Sequence, residues 1–238
     1  MRIALVGYGK MGKAIEKIAL SRGHEIVFRI NSLNATDIEN LSPENTDVVI
    51  EFTRPELAPG HLSTLIRNRL PVVCGTTAWQ HAENRIYQLV KEENGSLVHA
   101  SNFSPGVNIF FVLNEYLAKM MVNWPAYKAS ITEIHHTAKL DAPSGTAITL
   151  ANGILEQRND LTQWAEGNDA KEGTLPIYSI RQDPAPGTHT IRYKSDIDDI
   201  TISHEAHTRE GFATGAIMAA EWITGKQGVF TMRDVLSI

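Results

Sequence analysis

The feature that most limits the fold lies at the start of the chain. Arg2-Ile3-Ala4-Leu5-Val6 is a short apolar run that passes directly into Gly7-Tyr8-Gly9-Lys10-Met11-Gly12. A run of this length bounded by glycine reads as a buried parallel strand. The next residues place Met11, Ile15, Ile18 and Ala19 on one helical face, with Lys10, Lys13 and Lys17 elsewhere. This is G-x-G-x-x-G between a strand and a helix. Gly7 makes the tight turn, Gly9 lets a pyrophosphate approach the backbone, and Gly12 lets helix and strand pack closely. The context predicts a dinucleotide site; the plainer alternative is a tight strand-to-helix turn with no ligand.

The same rhythm continues. Strands are predicted over 25–30, 47–52, 71–74 and 96–100, and helices end near Asn68 and Asn94. Strand–helix alternation argues for an α/β fold, a doubly wound Rossmann-type parallel sheet. Ligands of such sheets collect beyond the carboxyl ends of the strands. The loops Gly75-Thr76-Thr77 and Ser101-Asn102-Phe103-Ser104 occupy such ends and are candidate cofactor contacts. The end of the second strand normally carries an acidic residue for the adenosine ribose, ~20 residues past the glycines. Here it carries Asn31-Ser32, with Arg29 just before. Asparagine can bond a ribose but neither repels nor clamps a 2′-phosphate, so the choice between NADH and NADPH stays open.

After Phe103 the pattern changes. A long helix over 107–121 is followed by a strand over 129–136, a helix over 145–159, and strands over 178–181, 188–193 and 199–204. This predicts a second α+β substrate domain over residues 103–209. Residues 1–102 and 210–238 then form the dinucleotide-binding domain, with a late helix over 212–224 packed back upon it. The polar stretch 163–173 reads as a surface loop.

The chemistry-bearing segment is Glu133-Ile134-His135-His136-Thr137-Ala138-Lys139-Leu140-Asp141-Ala142-Pro143-Ser144-Gly145-Thr146. A histidine exchanges protons near neutral pH. A lysine is a compact cation for an anionic substrate. Ser144-Gly145-Thr146 reads as a helix start, with Ser144 as cap and free N–H groups beyond it that attract carboxylates. Together these residues fit a small carboxylate that receives a proton. Taken singly, each has a plainer role: His136 a satisfied polar residue, Lys139 a surface charge, Asp141 a turn residue. Pro-Ser-Gly-Thr is not the nucleophile elbow G-x-S-x-G. Adjacent histidines on a strand point to opposite faces, so no metal site is expected. His204, His207 and Arg209 are candidate hinge or cleft residues near the return to the first domain.

Composition narrows the remaining classes. A net charge of −5 gives no basic surface for nucleic acid. The one cysteine, Cys74, follows Pro71-Val72-Val73 and reads as a buried strand residue. No apolar run reaches the ~20 residues of a membrane span, and the first residues do not form a signal peptide. A cytoplasmic location is expected. At this level a different NAD(P)-dependent dehydrogenase and a non-enzymatic nucleotide-sensing protein both remain open.

Six segments carry a resemblance to a known family: residues 6–12, Phe52-Thr53-Arg54-Pro55-Glu56, Gly75-Thr76-Thr77, residues 102–108, residues 133–146 and Met232-Arg233-Asp234-Val235-Leu236. The chain resembles the bacterial 4-hydroxy-tetrahydrodipicolinate reductases, also called dihydrodipicolinate reductases, of lysine and diaminopimelate biosynthesis. Family members commonly read E-x-H-H-x-x-K-x-D-x-P-S-G-T, which residues 133–146 match at each fixed position. The resemblance implies a catalytic role for His135 and Lys139. It implies that His136, Gly145 and Thr146 bind the carboxylates of a small dicarboxylate substrate. Gly7, Gly9, Lys10, Met11 and Gly12 would hold the pyrophosphate of NADPH or NADH. Gly75, Thr76, Thr77, Asn102, Phe103 and Ser104 would lie by the nicotinamide and its ribose. Asn31 departs from the family, which often has an acidic residue there. The resemblance also implies a homotetramer built through the sheet of the substrate domain.

Overall fold

The computed structural model describes residues 1–169, 171–208 and 210–238. Arg209 lies outside them. The chain divides into two compact units, Met1–Pro105 with Glu210–Ile238, and Gly106–Arg209.

The first unit begins with β1 (Arg2–Val6), α1 (Lys10–Ser21) and β2 (Glu25–Ile30). β3 (Val48–Glu51), α2 (Ala58–Arg67), β4 (Val72–Cys74), α3 (Gln80–Glu92) and β5 (Ser96–His99) follow. The turn after β1 is sharp. Gly7 has φ +98°, and a Cβ there would lie 1.9 Å from the Phe52 carbonyl oxygen. The amides of Gly7 and Tyr8 both donate to the Ile30 carbonyl. Gly12 is buried on α1, where a Cβ would come 2.7 Å from the Gly7 carbonyl. Close packing of helix on strand therefore requires both glycines.

The second unit contains α4 (Pro105–Met121), which begins in the first, then β6 (Lys128–His135), α5 (Gly145–Leu155) and β7 (Gln163–Glu166). β8 (Thr174–Arg181), β9 (Thr188–Lys194) and β10 (Asp199–Glu205) complete it. Its five-stranded mixed sheet has the order β10-β9-β6-β8-β7. β6 and β7 run parallel to β8, whereas β9 is antiparallel to β6 and β10. Ile131, Ile177, Ile191 and Tyr193 point to one face and pack on Phe110, Leu117, Leu150 and Ile154 of α4 and α5. The stretch expected as a surface loop at 163–173 instead contains β7 and a 3-10 turn over Gly167–Asp169. Trp164 packs partly against the core, and β7 pairs only with β8. A four-residue edge strand with exposed ends carries little alternation to read.

The chain then returns to the first unit as α6 (Glu210–Ile223), β11 (Gly228–Phe230) and α7 (Met232–Leu236). The first sheet has the order β11-β5-β4-β3-β1-β2 and is parallel throughout. Its inner strands β1, β3, β4 and β5 are buried on both faces, so alternation within each of them supplies two cores. Ile3, Leu5, Val48, Ile50 and Val73 pack under α1 and α6. Ala4, Val6, Val49, Val72 and Cys74 pack under α2 and α3. Each fully buried Leu or Ile contributes roughly 1.5–3 kcal/mol over its exposed state. Phe103, expected to open the second domain, lies in the first core, its ring 5.6 Å from Phe52. Gly215 of α6 lets the helix rest on the Phe103 carbonyl, where a Cβ would come within 1.6 Å.

Candidate active site

Two places carry the residues of interest, one in each unit. In the first, a cavity of about 480 Å³ opens at the carboxyl ends of β1, β2 and β3. Gly7 and Gly9, Asn31 and Ser32, and Phe52-Thr53-Arg54 line it. Gly9 caps α1, and a Cβ built on it meets no protein atom within 4 Å. The backbone at the helix start is thus bare on the side where a pyrophosphate would sit, so this cradle fits a dinucleotide. Asn31 Oδ1 accepts from the Leu33 amide at 2.8 Å, and Asn34 Oδ1 accepts from the Asn31 amide at 2.8 Å. Among the described residues, no carboxylate side chain lines the cavity. Arg29 is not idle at the surface. Its guanidinium pairs with Glu16 and lies 6.0 Å from the Tyr8 ring centre. The Arg29 hydrogen bond holds the Glu16 carboxyl below its ordinary range.

The other expected cofactor residues have varied surroundings. Lys10 is exposed, whereas Met11 packs partly on the core. Gly75 makes room for the Phe52 ring, which a Cβ would meet at 2.1 Å. Thr76 is buried, and its hydroxyl accepts from the Thr53 amide at 2.7 Å, tying it to the cavity wall. Thr77 and Ser101 are exposed; Asn102, Phe103 and Ser104 are buried. Asn102 Oδ1 accepts from the Ser104 amide at 2.9 Å and so shapes that loop. Beneath the cavity, the Cys74 thiol donates to the buried Glu51 carboxylate at 3.2 Å. Burial, and then the Glu51 charge, push that thiol well up, so Cys74 is a neutral core residue.

In the second unit, β6 delivers Glu133 and His135 to the core face of the sheet. Register aligns Ser179 of β8, Glu133 of β6, His189 of β9 and His204 of β10 in one polar row across four strands. The following row pairs His135 with Arg181. Glu133 is fully buried and is the centre of this group. It accepts from the Ser144 amide at 3.1 Å through both oxygens, and its Oε1 accepts from Arg181 at 3.3 Å. Its Oε2 lies 3.4 Å from His135 Nδ1 and 3.7 Å from His189 Nε2. Burial pushes the Glu133 carboxyl up, but hydrogen bonding by Ser144 and Ser179 and the His135 charge together bring it below the usual range. Burial lowers His135, and Lys139 and Arg181 lower it further, while Glu133 acts in the opposite direction. Burial takes His189 down to about 4.

Ser144 caps α5, its hydroxyl accepting from the Ala147 amide at 3.2 Å. A Cβ on Gly145 would meet nothing within 4 Å, so the helix start there is open to an anion. His136 anchors its amide on the Ala185 carbonyl at 2.9 Å. Lys139 is held by Asp141, with both carboxylate oxygens within 2.9 Å of Nζ. Arg181 donates to the carbonyls of Lys139 and Asp141 and so pins this loop to β8. Segment 133–146 thus brings His135, Lys139 and the α5 start into one unit. Arg181 and His189, which the sequence reading did not single out, join them through strand register alone. His204 packs its ring 6.0 Å from Phe110. His207 is exposed.

Glu133, His135 and His189 place ligand-type atoms within 4.8 Å of one another. The Glu133 oxygens already accept from Ser144 and Arg181, and the guanidinium puts positive charge beside the place a cation would need. The group reads as a hydrogen-bonded hub, and no metal is assigned to it. No helix among the described residues is long and apolar enough to cross a membrane.

Comparisons with known proteins agree along the whole chain. The family pattern described as Dihydrodipicolinate reductase, N-terminus, matches residues 1–103, and that described as Dihydrodipicolinate reductase, C-terminus, matches residues 106–236. A 4-hydroxy-tetrahydrodipicolinate reductase of Christiangramia forsetii is 48% identical over 239 aligned positions, covering 100% of this chain and 98% of the relative. One from Archaeoglobus fulgidus is 34% identical, covering 99% and 100%. In fold, the chain is similar to a dipicolinate-bound dihydrodipicolinate reductase from Paenisporosarcina, with a TM-score of 0.77 at 22% identity and 97% of each chain covered. An amine dehydrogenase of Mycobacterium smegmatis shares the fold at a TM-score of 0.63 and 8% identity. With both halves matched in order and a relative this similar end to end, the chain belongs to the dihydrodipicolinate reductase family.

Proposed function

We propose a division of labour in which the first unit holds a nicotinamide nucleotide and the second holds and protonates a cyclic dicarboxylate. The chain is an oxidoreductase that reduces 4-hydroxy-tetrahydrodipicolinate to tetrahydrodipicolinate in lysine and diaminopimelate biosynthesis, the activity of its family. The observation that carries the residue assignment is the segment 133–146. It sets a buried histidine, a lysine loop and an open helix start side by side.

The substrate loses its 4-hydroxyl as water to give a conjugated C=C–C=N ring, and NADH or NADPH, when bound, would supply the hydride that adds to the ring carbon remote from nitrogen. The bare helix start at Gly9 receives the pyrophosphate. Gly145 and Thr146 at the start of α5, with His136 nearby in sequence, bind substrate carboxylates. Lys139 exchanges its partner Asp141 for a carboxylate of the substrate. Its charge and that of Arg181 favour the electron-rich form of the ring that follows reduction. His135 or Lys139 gives the proton that completes the reaction. The loops at 75–77 and 101–104 shape the nicotinamide end of the nucleotide site. The open face of the second sheet, with Ile134, Tyr178 and Ile180, supports assembly as a homotetramer. A cytoplasmic location suits the pathway, and a net charge of −5 offers no surface for nucleic acid.

The test mixes the purified chain with NADPH or NADH and freshly made substrate and follows absorbance at the nicotinamide band. Substrate-dependent loss is expected. His135→Ala and Lys139→Ala each lose at least ~10²-fold in turnover, the usual share of one positioned acid–base group, while nucleotide affinity stays near that of the parent. Parent-like turnover in both variants would sink the assignment. Lost nucleotide binding would make the segment a cofactor loop instead.

A further inference from the structure

His135 needs a partner for the ring nitrogen that does not meet the substrate. The group that faces its Nδ1 is the Glu133 carboxylate, 3.4 Å away. No aligned hydrogen bond forms at that distance, and among the described residues the buried Nδ1 has no other partner. Catalytic hydrogen bonds are often long before substrate binds and tighten in the complex. On the opposite side of the ring lies Gly187, with φ +154°. A Cβ there would come 3.1 Å from His135 Nε2, so the glycine keeps a side chain off that nitrogen. The same Glu133 carboxylate receives the amide of Ser144, the cap of α5.

We propose that Glu133 is a positioning residue whose one buried carboxylate fixes the Nδ1–H tautomer of His135 and, through the Ser144 amide, anchors the start of the helix that receives the substrate. The proposal rests on the assignment of His135 and α5 made above. A carboxylate can only accept, so the neutral ring facing it carries its proton on Nδ1 and leaves Nε2 as the atom that gains and gives a proton. A carboxylate that orients an imidazole also favours the imidazolium. Other charges face the ring as well. Lys139 and Asp141 lie on the loop after β6, Arg181 on β8, and His189 on β9, with its ring 5.1 Å away. His204 of β10 acts on His189 in turn. Glu133 is the group among them that opposes the effect of burial most strongly. Arg181 and Ser144 keep the carboxylate charged and in place, so the imidazole and the helix start share one anchor.

Two readouts test this without turnover. Nitrogen-15 NMR of the labelled parent chain, with the His135 ring identified by its loss in His135→Gln, gives the tautomer directly. The neutral ring is expected as Nδ1–H; an Nε2–H ring overturns the proposal even if no Glu133 variant folds. In Glu133→Gln, His135 is expected to titrate at lower pH than in the parent, with Glu133→Asp returning the midpoint toward the parent value. An unchanged midpoint in Glu133→Gln overturns it. In the assay, Glu133→Gln should lose at least ~10-fold in kcat, less than the ~10²–10⁴-fold share of a group that itself moves the proton. A chain that shows the expected tautomer and shift but oxidises no nucleotide would refute the reductase reading and leave the role of Glu133 standing.

Discussion

At the scale of single residues, the observation that bears on nucleotide choice is Asn31. It lines the cavity of the first unit where the family often places an acid, and its side-chain oxygen is committed to the Leu33 amide. Arg29, the cation nearest in sequence, is committed to Glu16. The pocket therefore lacks a carboxylate that repels a 2′-phosphate, and Arg29 is not poised to clamp one. Both nucleotides are expected to bind within ~100-fold of each other, a difference of ~2.7 kcal/mol. Asn31→Asp should restore the repulsion and weaken NADPH by at least ~10-fold while NADH changes little. Calorimetric titration of both chains with both nucleotides measures this. Equal loss for the two nucleotides would show that Asn31 shapes the loop rather than reads the ribose.

At the scale of elements, the polar row across β8, β6, β9 and β10 makes part of the sheet sensitive to acid. His189 takes a proton at about 6.5 in the unfolded chain but only at about 4 when native. Between those values the unfolded state binds the proton and the native state refuses it. Stability is thus complete above pH ~6.5 and falls as the pH drops toward 4, by up to about 1.4 kcal/mol per pH unit for this residue. Burial depresses His99, His135 and His204 as well, and these add in the same direction. Urea unfolding across that range is expected to show a shallower pH dependence in His189→Gln. An unaltered slope would mean that His189 is charged in the native state. This row also marks where sequence reading stops. The inner strands of the first sheet, β1, β3, β4 and β5, are apolar runs buried on both faces, so they were legible almost to the residue. β6 was legible as a strand over 129–136, and its two adjacent histidines as pointing to opposite faces. Glu133, Arg181 and His189 meet only through the register of β6 with β8 and β9, and no local pattern encodes a pairing between strands dozens of residues apart. β7 and β11 were missed for a related reason: each is a short edge strand paired on one side.

At the scale of the whole molecule, the first unit is discontinuous. Each residue lining the nucleotide cavity lies before residue 62, yet the core behind its sheet is closed by Ala213, Ala216, Ile217, Ala220 and Ile223 of α6. Removing residues 210–238 strips that cover from Ile3, Leu5, Ile50, Val98 and Phe103. The shortened chain is expected to lose nucleotide binding and cooperative unfolding, although no cavity residue is touched. Calorimetry with NADH and a thermal melt would measure this, and retained binding would show that the first part of the chain folds alone. The return of α6 also has a meaning in time. A ribosome finishes β1 to β5 of the first sheet early, then makes the whole second unit before it makes α6, which covers them, and the edge strand β11. During that interval the nascent chain presents an uncovered apolar sheet face, while its second core, assembled from residues 107–202, can already close. The order of synthesis therefore favours completion of the inserted unit first, and it leaves the nucleotide-binding half as the part a chaperone would most need to guard.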